Sequence, residues 1–302
     1  MPAPDRAGAP DDRAAGPLLR PLPAGQGDGP VSGDALLPRP AGRHRPWPAC
    51  RRCCGVALDL GSARTRAWIA GRGVVVDVPT VTFAEDGALY PVRRGAIVDV
   101  AGCARMLRRV LGDRLPRGAR PLVVVAAPAL DAVAFRTRAR AVVGALGPGN
   151  VLTVPGARAV ALAADADLSR PLLVVDIGAH LTEVVLLCEG AVTDARRVAL
   201  GTGDLGDTVT AQQITEAVAT MLTAMLRQDL GSLCAEAVGR GLLLAGGGAL
   251  RPEITYRLTG RLPAPVRVVP APHTAAVRGA AKLLEAAHTH PSAAGPVPPV
   301  AR

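Results

Sequence analysis

Aromatic side chains are almost missing: two Trp, two Tyr and two Phe make up 2% of the 302 residues. Hydrophobic residues still reach 49%, so a core has to be built from Val, Leu and Ala. A stacking platform for single-stranded nucleic acid is excluded, because such platforms need aromatic faces. Lysine occurs once, at Lys282, and a coding bias toward arginine accounts for this more simply than an arginine-specific function. No apolar run approaches the roughly 20 residues of a membrane span; the longest, over 172–187, is broken by Asp176, His180 and Glu183. A secretory leader is not visible either, since Asp5, Asp11 and Asp12 interrupt the start and no apolar stretch follows. These absences predict a cytoplasmic protein. Cys50, Cys53 and Cys54, with His44 nearby, look like half of a zinc site. A structural site needs four ligands at fixed spacing, and no second pair follows. Cys103, Cys188 and Cys234 stand singly in apolar contexts, as small hydrophobes of a reducing compartment do. No metal is assigned to the cysteine group on this reading.

The net charge is +10, which raises nucleic acid and anionic membranes as partners. Residues 1–52 are rich in Pro, Ala and Arg and lack a strand or helix period, so they cannot bury enough apolar area to offset their ordering entropy. They are expected to be disordered, as are residues 289–302. Most of the charge lies in between. Arg105, Arg108 and Arg109 alternate with Met106, Leu107, Val110 and Leu111 in an amphipathic helix, and Arg136, Arg138 and Arg140 line a second. Such rows are ordinarily solvated faces; an anionic membrane surface is the partner class they suit. No recognition motif supports nucleic acid.

Chemistry concentrates in two stretches 117 positions apart, Val56-Ala57-Leu58-Asp59-Leu60-Gly61-Ser62 and Leu173-Val174-Val175-Asp176-Ile177-Gly178-Ala179. Each is an apolar strand ending in Asp-x-Gly. A small turn lets backbone amides approach phosphate oxygens, while the carboxylate holds Mg²⁺ through water. A third strand, 241–245, runs into Gly246-Gly247-Gly248. Gly201-Thr202-Gly203-Asp204-Leu205-Gly206 also matches the dinucleotide pattern G-x-G-x-x-G. However, the acidic strand end required about 20 residues later is replaced by a helical stretch, Thr220 to Leu226.

The order of these motifs resembles the actin-like ATPase superfamily, and bacterial MreB in particular. Asp59-Leu60-Gly61-Ser62-Ala63-Arg64-Thr65 is similar to its first phosphate loop, DLGTANT. Val175-Asp176-Ile177-Gly178-Ala179-His180-Leu181-Thr182-Glu183 is similar to the second, DIGGGTTE, and Leu244-Ala245-Gly246-Gly247-Gly248-Ala249-Leu250 to the adenosine motif, LTGGGAL. Sugar kinases and exopolyphosphatases share the superfamily but lack this pairing of motifs. The resemblance spans about residues 55–287 and implies an α/β, actin-like (ribonuclease H-like) duplicated fold. Each lobe is then a mixed sheet covered by helices, over 53–156 and 157–288. It further implies ATP and Mg²⁺ as cofactors: Asp59 and Asp176 on the metal, Gly61, Ser62 and Ala63 at the β-phosphate, Gly178, Ala179, His180 and Thr182 at the γ-phosphate, and Gly246, Gly247 and Gly248 at the adenosine. The implied role is in cell shape or cell-wall morphogenesis, with morphogenesis proteins or a full-length MreB as partners and a peripheral place at the inner face of the membrane. The alternative is a degenerate, non-catalytic scaffold.

Three departures qualify that expectation. Val81-Thr82-Phe83 runs almost directly into Gly95-Ala96-Ile97, and Gly203-Asp204 into the helix at Gln212, so both small outer subdomains are expected to be missing. The stretch Pro155 to Leu162 has no carboxylate where the family places its water-orienting acid, which predicts little hydrolysis. Ala179 and His180 replace glycines of the second loop, and the histidine is either a phosphate donor or a sign of loop decay.

Overall fold

A computed structural model describes residues 45–47, 49–50, 53–85, 87–206, 209–228 and 230–290. Most of the expected tails, and His44, lie outside these residues. The chain begins with an antiparallel meander of β1 (Gly55–Leu60), β2 (Arg64–Ile69) and β3 (Gly73–Pro79). Two short hairpins follow, β4 (Thr82–Ala84) with β5 (Gly87–Leu89) and β6 (Val92–Arg93) with β7 (Ala96–Ile97). Then come α1 (Val100–Leu111), β8 (Leu122–Ala127), α2 (Ala132–Val143) and β9 (Asn150–Pro155). β8 and β9 add in parallel to β1, giving the sheet order β3-β2-β1-β8-β9.

After α3 (Gly156–Ala163) the pattern repeats. β10 (Leu172–Ile177), β11 (Thr182–Cys188) and β12 (Ala191–Val198) form a second meander. α4 (Ala211–Leu226), α5 (Gly231–Arg240), β13 (Leu242–Ala245), α6 (Pro252–Arg261), β14 (Val266–Val268) and α7 (Ala275–Thr289) complete it. The second sheet has the order β12-β11-β10-β13-β14, again with its last two strands parallel to the central one. The fold is thus α/β, with one sheet topology used twice. At the positions of the expected missing subdomains the described residues hold only the two hairpins, over 82–97, and the turns between β12 and α4.

Strand alternation assigns the faces. Val56, Leu58 and Leu60 point to an outer core shared with Cys103, Met106 and Leu107 of α1 and with Phe135 and Ala139 of α2. Leu173, Val175 and Ile177 point to the equivalent outer core under α4, α5 and α6. The residues between them face inward, toward the other half of the molecule. That inward face is covered crosswise. α3 follows the first sheet in the chain yet buries Ala157, Val160 and Ala161 against Leu172, Val174, Val185 and Leu187 of the second. α7 follows the second sheet yet buries Val277, Ala280, Ala281 and Leu284 against Ala57 and Val124 of the first. By chain order α7 falls within the expected second lobe, 157–288, while its apolar stripe packs on the small inward residues Ala57 of β1 and Val124 of β8.

Other differences have local causes. β9 and β14 are sheet-edge strands, and Pro155, Pro263, Pro265 and Pro270 at or beside them hide the strand signal. Pro252, at the first position of α6, is a start signal that was there to be read. Residues 45–47, 49 and 50, counted as tail in the sequence, are placed here. Trp47 packs beside Trp68, Leu122 and Val154 over the α7 face of the first sheet.

α3 and α7 cross at Gly279, where an added Cβ would run into the backbone carbonyl of Ala159. Gly279→Ala therefore forces the helices apart and should cost about 1–3 kcal/mol, the usual range for overpacking, read as a lower urea midpoint. Gly144 sits in an αR conformation with open space around its Cα, so Gly144→Ala should be neutral or slightly stabilising in the same assay.

Candidate functional site

The inward parity that carries Ala57 onto α7 also carries Asp59, one pleat further, to the C-terminal end of β1 on the same face. Asp176 occupies the same place on β10, after Leu172 and Val174. Both strands then turn back by the same device. Gly61 N donates to Arg64 O at 3.1 Å, and Gly178 N donates to Leu181 O at 2.9 Å. Each turn is buttressed from behind: Thr80 N donates to Ala63 O at 2.9 Å, and Thr202 N donates to Gly178 O at 3.0 Å. The Gly201-Thr202-Gly203 segment is therefore a brace for the second loop, which explains its glycines without a dinucleotide.

Asp59, Gly61, Ser62, Ala63, Asp176, Gly178, Ala179, Gly246 and Gly247 line a single cavity of about 280 Å³ between the two sheets. Its size is at the lower edge of the ~300–1,000 Å³ typical of small-molecule sites. Gly246 has φ +81°, and a Cβ there would collide with Asp176 Oδ1 and the carbonyl of Ile177, so only glycine allows this close approach of the third strand's turn. Three expected site residues, His180, Thr182 and Gly248, are not in the cavity lining. Thr182 is fully buried and its hydroxyl donates to Leu200 O at 2.8 Å. Gly248 is packed against the Ile177 side chain. Thr182 and Gly248 thus make these contacts within the second half.

His180 spans the cleft. Its Nδ1 lies 3.1 Å from Ser62 Oγ, so the first and second loops are hydrogen-bonded to one another. Its far edge lies against Gly203, where a Cβ would come within 2.7 Å of Nε2. Further links cross on the same side. Ala129 N donates to Glu183 Oε1 at 3.1 Å, Arg94 Nη2 donates to Asp204 Oδ1 at 3.1 Å, and Arg197 pairs with Asp131.

Charge distinguishes the two halves. Register places Asp59, Arg66 and Asp77 in one row across β1, β2 and β3, and Asp176, Glu183 and Arg197 in the matching row across β10, β11 and β12. In the first row the cation is central: Arg66 lies 3.7 Å from Asp59 and 3.4 Å from Asp77. In the second, two carboxylates are neighbours. Burial pushes the Asp176 carboxyl up to about 6, and the nearby charge of Asp59 adds to this. Burial and then the charge of Asp176 push Glu183 up to about 7, against the opposing bond from Ala129 N. Asp59 is also raised by burial, with Arg66 opposing. Asp59, Asp176 and Glu183 line the cavity together with Arg66. Arg66 and Glu183 were not chosen as site residues from the sequence. Glu183 closes the second motif, and Arg66 is the cross-strand partner that the turn at Gly61 imposes on Asp59.

The family model described as MreB/Mbl protein matches residues 82–212 and 207–292. Among solved structures, MreB5 of Spiroplasma citri bound to ADP superposes with a TM-score of 0.67 at 16% identity, over 78% of this chain and 97% of that one. The same protein bound to AMPPNP gives 0.64 at 17% identity, over 78% and 96%. The MamK double helical filament gives 0.59 at 16%, over 77% and 98%. No curated protein matches the chain.

An acid held above its unfolded-state value favours the folded protein while protonated, and this contribution is present below the unfolded value near 4 and lost as pH rises through the folded one. Without added cation, stability should therefore fall as pH rises through about 6 and about 7, the positions of Asp176 and Glu183. Glu183→Gln keeps an acceptor for Ala129 N and should flatten that fall. Melting temperature against pH for the two proteins checks it.

Proposed function

The chain belongs to the MreB/Mbl family, and we propose that it is an actin-fold protein of cell-shape or cell-wall morphogenesis that binds Mg-ATP weakly between its two sheets and hydrolyses it little. The observation that carries this reading is the convergence of two equivalent Asp-x-Gly turns, with Asp59 and Asp176, on one cavity. The residues fit the group. Asp59 and Asp176 offer carboxylate oxygens for Mg²⁺, and the turns that Gly61 and Gly178 open place Ser62, Ala63 and Ala179 in the lining, where phosphates would enter. The bound metal would supply charge neutralisation of the phosphates. Asp59 and Asp176 would orient its hydration shell, while Gly246 and Gly247 leave room beside Thr202 and His273 for the nucleoside. α3 supplies Gly156 to the cavity but no carboxylate, so no side chain there orients an attacking water.

Two observations favour weak binding and keep the scaffold reading in play. The Ser62–His180 hydrogen bond ties together the two turns between which phosphates would enter. Arg66 already supplies positive charge to Asp59. The scaffold alternative retains the fold and takes protein partners, such as a full-length MreB, in place of nucleotide. An anionic membrane surface is a further partner, supported by Arg105, Arg108 and Arg109 on α1 and Arg136 and Arg140 on α2, all exposed on neighbouring helices. Among the described residues no helix is long and apolar enough to cross a membrane, so any such contact is peripheral.

Calorimetric titration of Mg-ATP into the full chain tests the assignment. Binding is expected, is abolished in the Asp59→Ala, Asp176→Ala double variant, and tightens in His180→Gly. Removing a bridging hydrogen bond worth about 1 kcal/mol corresponds to roughly 5-fold. Phosphate release from the same samples should remain near background. No heat at millimolar Mg-ATP in either the natural chain or His180→Gly would leave the scaffold reading standing.

A further inference from the structure

The half site formed by the cysteines near residue 50 is completed from the other end of the chain. Cys50 Sγ, Cys53 Sγ and one ring nitrogen of His288 all lie within 4.8 Å of one another, although His288 is 235 positions beyond Cys53. The two thiols are half-buried, and His288 is 5% exposed near the end of α7. We propose that Cys50, Cys53 and His288 bind a zinc-class divalent cation that clasps the segment before β1 to α7.

Three features support a built site. Two thiolates and an imidazole are the donor chemistry of tetrahedral zinc, with Cys-x-x-Cys the usual spacing for the sulfur pair. The imidazole is held in place: Trp47 stacks on it with ring centroids 3.8 Å apart and planes 10° from parallel. Trp47 is itself fixed, because its indole N–H donates to the carbonyl of Cys53 at 3.1 Å. The ring is also set in one tautomer. His288 Nε2 lies 3.2 Å from the carbonyl of Arg45, and a carbonyl only accepts, so Nε2 carries the proton and the basic lone pair belongs to Nδ1. A donated ring N–H to a backbone carbonyl is the usual support of a metal-bound histidine. The described residues supply three ligands, and the fourth position would be filled from solvent.

The placement gives the metal a structural task. Trp47 covers part of the inward face of the first sheet, beside Val277, Ala280, Ala281 and Leu284 of α7. A cation at Cys50, Cys53 and His288 fixes that cover to the helix. Cys53 precedes β1 and Asp59 closes it, so the cysteines lie at the opposite end of that strand from the Asp-x-Gly turn, and the proposal does not depend on nucleotide binding.

The test uses the full chain purified under reducing conditions and measures zinc by mass spectrometry. The same preparation, stripped of metal, is then titrated with Co²⁺, whose visible absorption reports tetrahedral thiolate ligation. One zinc per chain is expected, with a cobalt spectrum showing sulfur ligation. Both should be lost in the Cys50→Ser, Cys53→Ser double variant, whose hydroxyls are poor ligands. His288→Gln should weaken cobalt binding at least 10-fold, as loss of one ligand does. Because His288 is buried, circular dichroism of that variant is recorded alongside, and the cysteine variant carries the test if it is unfolded. Chelator should lower the melting temperature of the natural chain and leave that of the cysteine variant unchanged. A chain that retains no metal, a double variant that retains the full equivalent, or a Cys50–Cys53 disulfide that persists under reducing conditions would each overturn the assignment.

Discussion

The crossing of α3 and α7 is the constraint on which the cleft depends. Each helix leaves the sheet that precedes it and covers the inward face of the other, and the two meet where Gly279 allows the backbone of Ala159 to approach. Only small side chains permit this. Ala57 and Val124 on one sheet and Ala157, Ala161 and Ala280 on the helices keep the layers thin. The near absence of aromatic residues belongs with the same economy, since a large ring at the crossing would separate the sheets and pull the two Asp-x-Gly turns apart. The alternation that buries Ala57 and Val174 under these helices then delivers Asp59 and Asp176 to the open end of the same faces. Packing and site are one geometric consequence of strand parity.

Within that frame the two halves have diverged by charge. Their hydrogen bonding is the same: a glycine amide closing a four-residue turn, braced from behind by a threonine amide. Their rows of ionisable residues are not. Arg66 sits between two aspartates in the first sheet, whereas Glu183 sits beside Asp176 in the second. Each row holds two carboxylates and one arginine, but the arginine is central in the first and at the outer strand in the second, where burial and the neighbouring carboxylate raise Asp176 and Glu183. His180 ties the two turns together through Ser62.

Much of this was legible in the residues. The Asp-x-Gly strand ends, the triple glycine and the duplicated architecture follow from short apolar runs bounded by glycine, which local sequence expresses well. The sheet that α7 covers was not legible, because a helix flanked by two equally apolar sheets carries no mark of its destination. Thr182 and Gly248 lie inside recognisable motifs, and motif membership does not separate a residue that faces the cavity from its neighbour that faces the core. The pairing of His288 with Cys50 and Cys53 was invisible for a different reason: local spacing supplies half of the ligands, and the fold brings the rest from the far terminus.

The central claim is that the two turns act as one clamp, and hydrogen–deuterium exchange measures it most directly. Amide exchange in residues 59–64 and 176–182 should slow together on addition of Mg-ATP, with the outer helices α1 and α4 unchanged. Protection of only one turn, or of neither at saturating Mg-ATP, would contradict a shared site.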